Sequence, residues 1–214
     1  MNQVNTNKRF ISVVYILVSL LLLLLALIIP RGEDVFWING HHTPMLDNFF
    51  SHITHLGEGS IFILLVLVVC FIRYKYVILA LIVWIGHGLI SLILKQVVFT
   101  NVGRPKTVLD NELLYFIPNV EVHANNSFPS GHTMTIFCLA FLTALLMKNR
   151  GGAVGLLIIA LLVGYSRIYL LQHFLLDVAG GAVIGVTFTF LVWNYFERKK
   201  FPEWMNGRIN KPAK

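Results

Sequence analysis

Six stretches of this chain are candidates to cross a lipid bilayer, and nothing else in it restricts the fold as strongly. A helical span needs about 20 mostly apolar residues. The runs lie near 10–30, 54–72, 76–96, 130–148, 152–171 and 174–196. Backbone inside a bilayer must satisfy its own hydrogen bonds, and continuous runs of this length do so as helices. The expectation is an all-α integral membrane protein with six transmembrane helices, a single domain over 1–214 with its core at about 54–196. Composition agrees: 57% of residues are hydrophobic and 13% charged, where a soluble domain has about one-quarter charged. The first run is too long for a cleaved signal peptide, and Pro30-Arg31-Gly32 ends it.

The net charge of +7 follows topology and does not point to a nucleic-acid partner. Lys8 and Arg9 precede the first span, and Arg73 and Lys75 join spans two and three. Lys148 and Arg150 join spans four and five, while Arg198, Lys199, Lys200, Arg208, Lys211 and Lys214 follow the sixth. If six helices cross in succession, all of these share one side. The other side holds Arg31, Lys95, Arg104, Lys106 and Arg167. The positive-inside rule then puts both termini in the cytoplasm of a plasma (bacterial inner) membrane. The loops 31–53, 97–129 and 171–173 would face the periplasm or exterior. In the first of these, Thr43-Pro44 is a good helix start. The segment reads equally as a tether or as a short amphipathic helix at the interface.

Charged residues survive in membrane-like sequence when they are paired with each other or with a ligand. His173 and Asp177 stand four residues apart, with Arg167 just upstream. At that spacing on a helix, imidazole and carboxylate share a face. Asp177 could then hold one ring nitrogen of His173 and leave the other free. With Arg167 to bring an anion, the pattern points to a histidine nucleophile attacking phosphorus. Two further groups share the outer side: Lys95 with Arg104-Pro105, and Pro129-Ser130-Gly131-His132 at the start of span four. A helix beginning at Pro129 would leave N–H groups around Ser130 and Gly131 free for an anion. Gly131 allows close approach of a phosphate, and His132 is placed to protonate a leaving oxygen. A plain N-cap is the ordinary alternative for Ser130.

Several other features read as packing. His87, in Gly86-His87-Gly88, is more often a satisfied packing histidine than a ligand, and Cys70 and Cys138 are apolar filler without metal spacing. Gly181 and Gly185 allow close helix approach, within the chain or between subunits. Glu58, at the ragged start of span two, either faces an aqueous cleft or caps the span.

Taken together, these motifs resemble the type-2 phosphatidic acid phosphatase superfamily, membrane relatives of the vanadium haloperoxidases and bacterial acid phosphatases. That family's pattern has three parts: KxxxxxxRP, PSGH and SRxxxxxHxxxD. Pro129-Ser130-Gly131-His132 matches the second, and Ser166-Arg167, His173 and Asp177 match the third with its spacing. The first part departs from the pattern. Eight residues, Gln96 to Gly103, separate Lys95 from Arg104 where the family has six. A bulge or longer turn at Thr100-Asn101-Val102-Gly103 would restore the reach of Lys95, whereas Lys106 lies on the wrong side of the arginine.

The resemblance implies a phosphatase site at the outer ends of helices three, four and six. His173 would form a phosphohistidine, with Asp177 fixing its tautomer. Lys95, Arg104, Ser130, Gly131 and Arg167 would bind the phosphoryl oxygens, and His132 would serve as acid and then base. No metal or cofactor is expected. The implied substrates are lipid phosphates or pyrophosphates: phosphatidylglycerophosphate, phosphatidic acid, undecaprenyl pyrophosphate or lipid A. The loop 106–127 is the best candidate for setting selectivity, since loops of this length are usually functional. The competing readings are a transporter or channel using the intramembrane Arg, His and Asp residues, and a non-catalytic lipid-binding relative. Oligomeric state is not legible in the sequence.

Overall fold

A computed structural model describes residues 3–209, and its long helices follow from the apolar runs and their punctuation. In chain order the helices are α1 Gln3–Ile28, α2 Glu33–Asn39, α3 Pro44–Ile53, α4 Phe62–Cys70, α5 Tyr74–Ile93, α6 Pro105–Val108, α7 Gly131–Met147, α8 Arg150–Tyr169 and α9 Leu175–Arg198. α5 continues into a π turn, Leu94–Val98. α1, α5 with its π turn, α8 and α9 are each long and apolar enough to cross a membrane. α7 has 17 residues, about 25 Å of helix, and falls just short of that length.

The second expected span, 54–72, is not one straight helix. Gly57-Glu58-Gly59 interrupts it, so that Pro44–Gly57 and Gly59–Cys70 form two arms bent by 58°. Two glycines and an extended Glu58 break the hydrogen-bond ladder where the apolar run begins. The segment after α1 contains a helix, α2, that the sequence reading omitted. It also contains the amphipathic α3, which starts where Thr43 accepts from the Leu46 N–H with Pro44 in the first turn.

α7 forms the axis of the bundle, packed by α1, α5, α8 and α9. Phe137, Phe141, Leu142 and Leu145 on it are wholly buried, whereas Leu17, Leu21, Leu24 and Leu27 of α1 lie exposed. Apolar surface of that extent suits lipid rather than water. The glycine pair acts inside the chain. A Cβ on Gly181 would lie 2.6 Å from the Ser130 carbonyl oxygen, and one on Gly185 would lie 2.9 Å from that of Met134. α9 therefore rests on the α7 backbone itself, as small residues permit. Gly181→Val should force the two helices apart and lower stability by about 1–3 kcal/mol. An unchanged thermal midpoint in detergent would show that the close approach is not needed.

The two ends of the bundle differ in charge. At one end Lys8 pairs with Glu197, and Asn7 bonds to the Lys148 carbonyl and to Arg150. At the other, the Asp34 carboxylate accepts from the Leu175 N–H at 2.5 Å, and the site residues gather.

Candidate active site

His173 does not sit on the same helix as Asp177. α8 ends at Tyr169, Leu171 takes a left-handed φ of 57°, and His173 lies in the connector before α9, which starts at Leu175. The spacing nevertheless brings the pair together, because Asp177 occupies the first turn of α9. Its Oδ2 caps the helix by accepting from the Phe174 N–H at 2.9 Å. The same oxygen accepts from Ser127 Oγ at 2.5 Å and faces His173 Nδ1 at 3.5 Å. That separation is long for a hydrogen bond, and Nδ1 has no other partner. Catalytic bonds of this kind often tighten only when substrate is bound.

His173 is 2% exposed. Burial pushes its imidazole below the usual histidine range; Asp177 opposes that shift, while the nearby Arg104 charge adds to it. The result is a neutral ring whose Nδ1 is held toward a carboxylate and whose Nε2 is left over.

Two cations, Arg104 and Arg167, act on this ring. Arg104 is buried, its Nε donating to the Asn125 carbonyl and one Nη to both oxygens of Gln172. Arg167 is buried as well. One Nη donates to Thr54 Oγ1 at 2.5 Å, and its Nε has no partner. A buried, unpaired guanidinium donor is costly unless an anion completes it. Lys95 lies in the π turn at the end of α5, within electrostatic range of Arg104, Arg167 and Asp177. Two local features fall within its longer spacing from Arg104. The π turn adds a residue to the helical ladder, as such bulges often do at functional sites, and Asn101 turns the chain at a φ of 59°. Lys106, on the far side of the arginine, is exposed.

The helix start at Ser130 is arranged differently from expectation. α7 begins at Gly131, not Pro129, and Ser130 is its N-cap. The Ser130 N–H is not free for an anion, because it donates to the Asp177 carbonyl at 2.9 Å. Its hydroxyl oxygen accepts from the Thr133 hydroxyl at 2.9 Å, leaving its own proton to donate. The N–H groups of Gly131 and His132 stand in the first turn, where no intrahelical acceptor exists. His132 lies between two cavities. One, of about 440 Å³, is polar and also lined by Thr54, His55, Glu58, Arg167 and Gln172. The other, of about 340 Å³, includes Gly57, Glu58, Trp84 and Gly131. Glu58 thus faces both cavities, paired there with His55 Nδ1 at 2.6 Å. His87 spends both ring nitrogens on Val83 and Thr135, as a packing histidine should.

Sequence reasoning missed several residues that hold these groups. Ser127 supports Asp177, and Gln172 ties Arg104 to the His173 connector. Gln172 also donates to the Glu121 carbonyl at 2.8 Å, which fastens the 106–127 loop over the site. Arg31 stacks on Phe174 at 4.3 Å and donates to the Gly103 carbonyl, bracing the neighbours of both His173 and Arg104. Only adjacency to the motif residues hinted at Gln172 and Ser127; nothing in the sequence hinted at Arg31 or Asp34.

A family model described as the PAP2 superfamily matches residues 75–201 of the chain. Undecaprenyl-diphosphatase BcrC of Bacillus subtilis is 30% identical over 158 residues, covering 72% of this chain and 77% of that protein. Phosphatidylglycerophosphatase B of the same organism is 31% identical over 171 residues, covering 73% and 78%. The bacitracin transport permease protein BcrC of Bacillus licheniformis is 43% identical over 82 residues, a match that spans 36% of this chain and only 39% of that relative. Among solved structures, Aquifex aeolicus LpxE superposes with a TM-score of 0.68 at 29% identity, covering 77% of this chain and 95% of that one.

Proposed function

This chain belongs to the PAP2 superfamily, and from that premise we propose that it hydrolyses a lipid phosphomonoester or lipid pyrophosphate through a phosphohistidine. One observation carries the reading: a buried His173, facing Asp177, stands near Arg104 and Arg167, the second of which keeps an unpaired buried donor. His173 Nε2 attacks phosphorus as the bond to the leaving oxygen breaks, and His132 delivers the proton to that oxygen. Water then attacks the phosphohistidine, giving its proton to His132, and His173 departs with its electron pair. Lys95, Arg104, Arg167, the Ser130 hydroxyl and the Gly131 N–H offset charge on the phosphoryl oxygens, the term that usually dominates such catalysis. Asp177 holds the proton at Nδ1 and stabilises the cationic ring.

We expect the chemistry to need no metal, because the charged anion-binding groups, Lys95, Arg104 and Arg167, are themselves cations. The whole described chain would act as one catalytic domain. The basic residues at the far end of the bundle favour cytoplasmic termini, with the site facing the outer leaflet. Phosphate groups beside long apolar chains meet such a site at the interface, which fits the activities named for the relatives.

Purified protein in detergent should release inorganic phosphate from one or more of four lipids: phosphatidylglycerophosphate, phosphatidic acid, undecaprenyl pyrophosphate and lipid A. Release should persist with EDTA present and stop with vanadate. Loss of release in EDTA, restored by a divalent cation, would overturn the metal-free mechanism. Solute movement in sealed vesicles without any phosphate release would favour a transporter instead.

A further inference from the structure

The break in the second apolar run does more than bend it. The Thr54–Gly57 turn lies between the two groups on which the proposed reaction makes different demands. On one side, Thr54 is 7% exposed, and its Oγ1 accepts from Arg167 Nη1. That bond aims the guanidinium and leaves Nε as the unpaired donor. On the other side, the turn backbone presses on the start of α7. A Cβ on Gly57 would lie 2.8 Å from His132 Cβ, 3.0 Å from the His132 carbonyl oxygen and 2.9 Å from Val163 Cγ1. None of these can move cheaply, since one belongs to the helix backbone and another to the first atom of a catalytic side chain. The turn also lines the polar cavity beside Arg167 and His132.

We propose that the Thr54–Gly57 turn is a positioning element of the active site: Thr54 sets Arg167 for the phosphoryl oxygens, and Gly57 sets His132 for the leaving oxygen. The proposal rests on the phosphatase reading above. It also explains why a long apolar run is broken where an unbroken helix would be easier to insert. A straight span would carry neither a hydroxyl to Arg167 nor a bare backbone against His132.

The two contacts can be separated because vanadate occupies the phosphoryl position and needs no protonated leaving group. Thr54→Val removes the acceptor but keeps the shape. It should raise the vanadate inhibition constant about tenfold or more, with a matching loss in kcat/KM, and Thr54→Ser should restore both. Gly57→Ala should lower kcat by about 10- to 100-fold through displacement of His132, while vanadate inhibition stays within about threefold of wild type. The proposal is overturned if both variants match wild type in turnover and inhibition. It is equally overturned if each loses turnover and vanadate affinity together with a fall in thermal midpoint, since that is what a packing role predicts. The parent reading fails separately, and visibly, if wild-type protein releases no phosphate from any of the lipids tested.

Discussion

His173→Ala should reduce phosphate release by about 10³-fold or more, because it removes the atom proposed to bond to phosphorus. The cations would still bind substrate, so KM or lipid affinity should change far less than kcat. The fold should persist. The connector's conformation is held by backbone bonds from the Gln172 and His173 N–H groups to the Arg167 carbonyl, at 2.9 and 3.1 Å, and by Gln172 itself. The ring is buried, so truncation leaves a cavity, and His173→Asn serves as a variant with less lost volume. Both should lack acid-labile phosphate on the protein after quenching with a labelled substrate. Release at the wild-type rate by either variant would sink the histidine mechanism and leave the cationic pocket as a lipid-headgroup binder.

How much of this could be read from the chain differs from residue to residue. The four clear spans follow from uninterrupted apolar runs, and their ends fall near Pro30, Arg73, Lys148 and Arg198 as punctuation dictates. The motif residues were legible because chemistry restricts their type: a histidine or arginine in lipid needs a partner. Geometry around them was less legible. A spacing of four between His173 and Asp177 reads identically whether both lie on a helix or one precedes the helix that the other caps. The π turn beneath Lys95 has no composition signal, yet it falls within the longer spacing to Arg104. Thr54, Arg31 and Asp34 come from segments more than 60 residues away from the groups they hold. Proximity of that kind arises only when α2, α3 and the Thr54–Gly57 turn pack against α8, so no local pattern records it. The glycines were readable as a packing stripe, but Gly57 was not, because its reason lies on α7.

Asp177→Asn should separate the two roles that the structure gives this carboxylate. As a cap, Oδ2 accepts from the Phe174 N–H and from Ser127, and an amide oxygen can accept both bonds. Asparagine should therefore keep the start of α9 and a thermal midpoint near wild type. As the partner of His173, the charge itself matters. With its oxygen at the Oδ2 position the amide still faces Nδ1, but a neutral acceptor holds the Nδ1 proton more weakly than a carboxylate does. It also provides no negative charge for the cationic ring of the phosphohistidine. Turnover should then fall by about 10²- to 10⁴-fold, as when a comparable carboxylate–histidine pair loses its charge in other enzymes. Asp177→Ala should lose activity similarly and also stability, on the order of 1–3 kcal/mol, because two buried donors lose their acceptor. Wild-type turnover in the asparagine variant would mean that Asp177 is a helix cap alone, and that the 3.5 Å separation from His173 is never closed during the reaction.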